Sequence, residues 1–238
     1  MKIVVHHLTR MERGYFCVAG IDLETGKDIR PVIQGRLPIS LLHTRGGIFD
    51  MAGIVDLGKV EYYGRKPQTE DYFFHPNEAR YISPYPPEKF WKLIEDTSLD
   101  SFRGIFGEQL KDIGTRGCGF EEHKGEHSLG CLFPARKPKL YVKEREGKPP
   151  QVRATVRDAD REYDLGVTDI RLYGSDHVTP DLEMIDVVAR RMNKGILCYL
   201  SVGVTRLFAP SPDMAPMHWV QVNNFHMFDD SAWRMNKS

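Results

Sequence analysis

The densest group of metal-ligating side chains in the sequence lies between Cys118 and Cys131, a stretch that also carries His123 and His127. Two thiols and two imidazoles are the donors that tetrahedral Zn²⁺ sites use. Gly117, Gly119, Gly125 and Gly130 would let such a loop wrap an ion. The C-x4-H-x3-H-x3-C spacing is not that of a standard finger or knuckle, and Cys131 equally well opens a β-strand. The expectation is therefore no cofactor, with zinc on Cys118, His123, His127 and Cys131 as the alternative.

A second group suits phosphate and base recognition. Arg10, Arg13, Arg30 and Arg206 sit next to turns, and Arg136, Lys137 and Lys139 open a basic stretch. Trp219 offers a stacking face, with Gln221 and Asn223 as polar neighbours. Guanidinium groups that hold phosphates and aromatic rings that stack on bases are the means by which single strands are bound. Tyr15, Phe16, Tyr62, Tyr63 and Phe225 are further stacking candidates, with core packing as the competing role. Asn223 and Asn224 equally suit strand-end capping, and Arg30 has Asp22 or Asp28 as possible ion-pair partners. The carboxylates of Asp158, Asp160, Asp164 and Asp169 would serve a nuclease only if the fold gathered them. No phosphate-binding loop, nucleophile elbow or His-Glu-x-x-His helix is present, so no catalytic residue can be assigned.

Charge narrows the binding reading. Lys plus Arg number 33 and Asp plus Glu number 33, a net charge of zero, so bulk electrostatics cannot hold a polyanion. The balance is uneven along the chain. Eight basic residues stand against Glu144 and Glu146 between Cys131 and Arg157, and nine acidic ones against Arg161 and Arg171 between Asp158 and Asp186. A phosphate-binding face with an acidic back, or two adjacent strands that neutralise each other, would give this pattern.

These residues need a frame, and the pattern around them is that of short strands. Lys2–Leu8, Tyr15–Leu23 and Asp28–Ile33 alternate with turns, and Gly26 supplies the positive φ of a tight hairpin. Ile54–Tyr63 is expected as a further strand. Proline at position 87 opens a helix carrying Phe90, Trp91 and Ile94, and a second short helix is expected between Leu99 and Leu110. Lys139–Arg145, Val152–Arg157 and Glu162–Val167 read as strands. A helix from about Asp181 to Asn193, with Leu182, Ile185, Val188, Ala189 and Met192 on one face, ends at Gly195. Ile196–Val204 and His218–Phe228 follow as strands. Three strands, a helix and two strands is the order of an OB barrel. Residues 66–113 read as a connecting element. The expected division is a first barrel over 1–80, a helical connector over 81–115 and a second barrel over 116–238. Leu8-Thr9-Arg10 and Val204-Thr205-Arg206 form a faint echo that would fit paired barrels.

The chain also resembles the dual OB-fold domain family, prokaryotic and phage-associated proteins built of two tandem OB barrels. The resemblance rests on Leu8-Thr9-Arg10, Cys17 to Asp22, Gly26 to Val32, Ser128-Leu129-Gly130, Leu165 to Asp169, Val202 to Arg206 and His218 to Asn224. Asp28 and Leu207 depart from the family pattern, which expects a bulky residue and a proline there. The resemblance implies a mainly β fold of two OB-like barrels, with a small PUA- or ASCH-like barrel as the alternative. It also implies a nucleic-acid-binding module for single-stranded DNA or RNA, without catalysis of its own, acting alone or beside a protein effector partner. The competing reading is an enzyme that processes a nucleotide or nucleic acid at the interface of the barrels. Four cysteines in 238 residues do not make a disulfide framework. With no signal peptide or membrane-spanning run, a cytoplasmic location and no membrane partner are expected.

Overall fold

The computed structural model describes residues 1–209 and 214–235. The first half forms a sheet of eight strands: β1 (Lys2–Arg10), β2 (Tyr15–Asp22), β3 (Asp28–Val32), β4 (Leu37–Pro38), β5 (Gly53–Asp56), β6 (Val60–Tyr62), β7 (Asp71–Phe74) and β8 (Arg80–Pro84). Helix α1 (Pro87–Thr97), β9 (Ser98–Leu99) and helix α2 (Phe102–Phe106) follow. The second half contains β10 (Lys111–Ile113), β11 (Gly117–Glu121), β12 (Leu129–Leu132), β13 (Lys139–Arg145), β14 (Lys148–Arg157) and β15 (Glu162–Val167). Helix α3 (Leu182–Asn193), β16 (Cys198–Val204) and β17 (Met217–Met227) complete it.

Both halves share one strand path. In the first, β1, β2 and β3 form an antiparallel meander, and β3 then pairs in parallel with β7. Segment 53–62 returns beside β7 through β6 and beside β1 through β5, closing the ring. The expected single strand Ile54–Tyr63 is thus one path in two pieces. It breaks at Gly58, whose φ is +68° and whose N–H donates to Asp56 Oδ1. In the second half, β13, β14 and β15 form the meander, β15 pairs in parallel with β17, and β17 pairs with β16. Segment 129–145 closes this ring, with β12 on β16 and β13 on β14. This is the OB path twice over, rather than a single PUA- or ASCH-like barrel.

Residues 66–113 are not one connector. β7 and β8 belong to the first sheet, and β10 pairs with β11 in the second. Helix α1 buries Phe90, Trp91 and Ile94 in the first core, while α2 buries Phe102, Ile105 and Phe106 in the second. Helix α3 begins under an Asp181 cap, whose carboxylate accepts from Met184 N–H. It buries Ile185, Val188 and Met192 but leaves Leu182 exposed. The Thr-Arg echo does not mark equivalent strands, because β1 is the first strand of its barrel and β16 the fourth of the other. β15 alternates in burial with the period of two expected of a one-sided strand, burying Tyr163, Leu165 and Val167. β16 is buried at every position and β1 at all but its ends, because these strands lie where the barrels meet.

Candidate nucleic-acid interface

The junction of the barrels is built from two β-bulges that face each other. In β1 the register slips between Val5 and His7, which makes His6 the extra residue. In β17 it slips opposite Ser201 and Val202, which makes Asn223 the extra residue. A bulge re-aims side chains that an unbroken strand would send to opposite faces. Here it lets both asparagines reach β1. Asn224 accepts from Leu8 N–H at 2.8 Å through Oδ1 and donates to Leu8 C=O at 2.9 Å through Nδ2. The Asn223 amide donates to His7 Nδ1 at 2.8 Å, and Ser201 Oγ donates to the His6 carbonyl at 2.8 Å. A loop of the first half clamps the second barrel as well. Glu70 accepts from both Ser128 N–H and Ser128 Oγ, at 2.8 and 2.7 Å.

Beside this junction lies a cleft of about 470 Å³. Its first wall is the β2–β3 face and the β1–β2 turn, with Thr9, Arg10, Cys17, Arg30 and Val32. Its second wall is the β16 end and β17, with Val204, Thr205, Arg206, Gln221 and Asn223. Arg30 is buried and donates from Nε to Asp71 Oδ1 at 2.5 Å. Arg206 is exposed and donates to the other oxygen of the same carboxylate at 2.8 Å. The expected Asp22 and Asp28 are therefore not the partners of Arg30. Arg10 lies 4.3 Å over the ring of Tyr173 and donates to the Met11 and His177 carbonyls. Arg36 lines the rim and pairs with Glu12. Among the described residues, three polar atoms in the cleft lining are buried without a partner, Arg10 Nε, Arg30 Nη2 and His7 Nε2.

Burial sets the protonation states around the junction. Burial, with His6, His226 and Arg30 nearby, holds the His7 imidazole well below its ordinary value. Burial also brings His226 down to about 3. His6 is the exception. Burial depresses it, but the Cys131 sulfur and the Asp28 carboxylate more than offset this and push it up to about 9. Burial raises the Cys17 thiol.

The cleft gathers five of the ten residues expected to bind nucleic acid: Arg10, Arg30, Arg206, Gln221 and Asn223. The rest lie elsewhere. Arg13 is exposed on the β1–β2 turn, Arg136 and Lys137 on the bend between β12 and β13, and Lys139 at the start of the edge strand β13. Trp219 is half-buried outside the cleft lining, its Nε1 donating to the Phe208 carbonyl at 2.9 Å. Phe16 and Phe225 are core, whereas Tyr62 and Tyr63 are exposed. The acidic candidates are separately occupied. Asp158 accepts from the N–H groups of Phe102, Asp160 and Arg161, Asp164 from Arg153 and Tyr141, and Asp169 from Arg171 and Phe225 N–H. The Arg153–Asp164 pair joins adjacent strands, so part of the charge asymmetry is neutralised locally.

The four expected zinc ligands do not converge. Cys118 is buried in the second core and Cys131 in the first, while His123 and His127 are exposed. Alternation along β11 and β12 turned both thiols inward, away from the loop that joins them. The sequence reading missed His6, His7 and Glu70. Two adjacent histidines within an apolar strand, paired across from a stretch holding Gly20, were the available signal.

Among the described residues no helix is long and apolar enough to cross a membrane. A family model described as a dual OB-containing domain matches residues 1–222 of the chain. No curated protein matches it.

Proposed function

The chain belongs to the dual OB-containing domain family, and from that premise we propose that it is a binding module for single-stranded DNA or RNA. The supporting observation is the convergence of Arg10, Arg30 and Arg206, from both barrels, on one cleft. The cleft crosses strands two and three of the first barrel and the loop after its first strand, the surface OB barrels use for oligonucleotides. At about 470 Å³ it falls in the ~300–1,000 Å³ range of small-ligand sites, so it holds a short stretch of the strand. Arg30 and Arg206 share the single carboxylate of Asp71, which leaves positive charge for phosphate. Gln221 and Asn223 place amide groups beside them for base edges.

Fluorescence anisotropy with labelled single-stranded DNA and RNA, at salt concentrations from low to physiological, tests this. Each neutralised phosphate contributes a slope of about −0.7 in log K against log salt, so three arginines give about −2. Arg206→Ala is expected to weaken binding and flatten the slope by about 0.7. Absence of salt-dependent binding by either nucleic acid at low ionic strength would refute the proposal. Turnover of the bound strand would instead favour the enzymatic reading.

A further inference from the structure

We propose that His6, His7 and Asp28 form a binding site for one divalent transition-metal ion beside the cleft, with His7 in its lining. Consecutive residues of a strand normally point to opposite faces, and His6 and His7 would then be unable to share an ion. The bulge at His6 removes that separation. The two rings stand perpendicular with centroids 4.1 Å apart. Asp28 begins β3, and its Oδ1 lies 2.8 Å from His6 Nε2. One donor atom from each of the three side chains lies within 4.8 Å of the others. Imidazole nitrogen and carboxylate oxygen bind such ions at about 2.0–2.2 Å, so an ion that displaces the proton between His6 Nε2 and Asp28 Oδ1 to solvent can be held by all three after a small rotation of the side chains.

Two independent features point to a ligand here. His7 is 1% exposed and its Nε2 has no partner in the protein, which is costly for a buried polar atom. With Nδ1 accepting from Asn223, Nε2 carries the ring proton, and an ion bound in the other tautomer would replace this unpartnered donor. Each imidazole is also anchored through its other nitrogen. His7 Nδ1 lies 2.8 Å from the Asn223 amide, which would turn its oxygen to the Nδ1 proton when Nε2 takes the ion, and His6 Nδ1 lies 3.5 Å from both Cys131 Sγ and Ser201 Oγ. Outer partners of this kind orient ligating histidines. Two nitrogens and one carboxylate suit zinc or ferrous iron rather than magnesium or calcium, which prefer oxygen. Three protein ligands leave a position free, as in catalytic rather than structural sites. His7 lines the cleft and the Asp28 side chain is partly exposed, so an exogenous oxygen has a route to it.

The test uses the whole chain, stripped with chelator and dialysed, then titrated with Co²⁺ alone and followed by visible absorption, with Zn²⁺ added to compete. One equivalent should bind and be displaced by zinc. Asp28→Asn and His7→Gln should each lower affinity beyond the ~10–100-fold that loss of an outer partner causes. His123→Ala and His127→Ala, both on exposed side chains, should leave it unchanged. Circular dichroism establishes that each variant is folded, and if His7→Gln is not, Asp28→Asn decides alone. Failure of the folded wild type to bind one equivalent overturns the proposal. So does binding of undiminished strength in Asp28→Asn, or its loss in the His123 and His127 variants.

Discussion

Replacing Asn224 with leucine tests whether the two barrels are locked by a single side chain. The native amide satisfies both backbone groups of Leu8, at 2.8 and 2.9 Å, with both residues fully buried. Leucine has nearly the same size, so little cavity is created, but it leaves one N–H and one C=O without partners. Each unsatisfied buried group costs about 1–3 kcal/mol, which gives about 2–6 kcal/mol for the pair. A domain of this size has about 5–15 kcal/mol in total, and each kcal/mol moves Tm by roughly 2–4 °C. The expected fall is therefore roughly 5–20 °C. Thermal melts, with urea melts for the free energy, followed by far-ultraviolet circular dichroism and tryptophan fluorescence would measure it. Trp91 and Trp233 report on the first core and Trp219 on the second barrel, so separation of the two signals would show the barrels uncoupling. A loss below about 1 kcal/mol would refute the reasoning, since it would mean that Leu8 finds other partners or that water enters.

Three further outcomes rest on local geometry. Trp219→Ala should lower Tm but leave the salt slope of nucleic-acid binding unchanged, because the indole is held by the Phe208 carbonyl outside the cleft; a changed slope in anisotropy titrations would contradict this. Burial raises the thiols of Cys118 and Cys198, the latter up to about 12, so Ellman's reagent should leave both unmodified in the native chain and reach all four cysteines in denaturant. Mass mapping that finds either one labelled rapidly would be inconsistent with the packing. Gly119→Ala should cost about 1–3 kcal/mol or more by thermal melt, since the added carbon would lie 2.3 Å from the His218 carbonyl oxygen across the β11–β17 ladder. A wild-type Tm would mean that the ladder opens there without strain.

How far the sequence disclosed the fold depended on whether an element carried its own periodicity. β13 and β15 match their expected bounds, because turns flank both and β15 alternates without a break. β7 did not stand out. Its four residues, Asp-Tyr-Phe-Phe, come after a polar loop and hold their place by parallel pairing with β3, a partner about forty positions away. The site divided in the same way. Arginines at strand ends were legible because turns announce themselves, and Arg10, Arg30 and Arg206 do meet at the cleft. The bulges were not legible, because one inserted residue hardly disturbs an apolar run yet reverses the facing of every later residue in the strand. Without them, His6 and His7 carried no signal of their own, and Asn223 read as a base contact or a strand-end cap. The thiol–imidazole cluster misled for a related reason, since nearness in sequence on two sides of a loop says nothing about which face each strand buries.

Asp71 shows how a chain with no net charge concentrates positive charge in one place. It opens β7, the strand that could not be read in advance, and its carboxylate receives Arg30 from the first barrel and Arg206 from the second. Two guanidinium groups on one carboxylate leave a surplus cation, and the buried acceptor fixes the direction of both planar groups before any ligand arrives. Fixed donors lose less entropy on binding than free surface side chains, so a few of them can do what a broad basic surface does elsewhere. The arrangement requires the barrels to stay in register, because Arg206 reaches Asp71 only across their junction. Locking by Asn224, Ser201 and Glu70 and the positive cleft are thus one structure. Loosening the junction should weaken anion binding even where no arginine is touched.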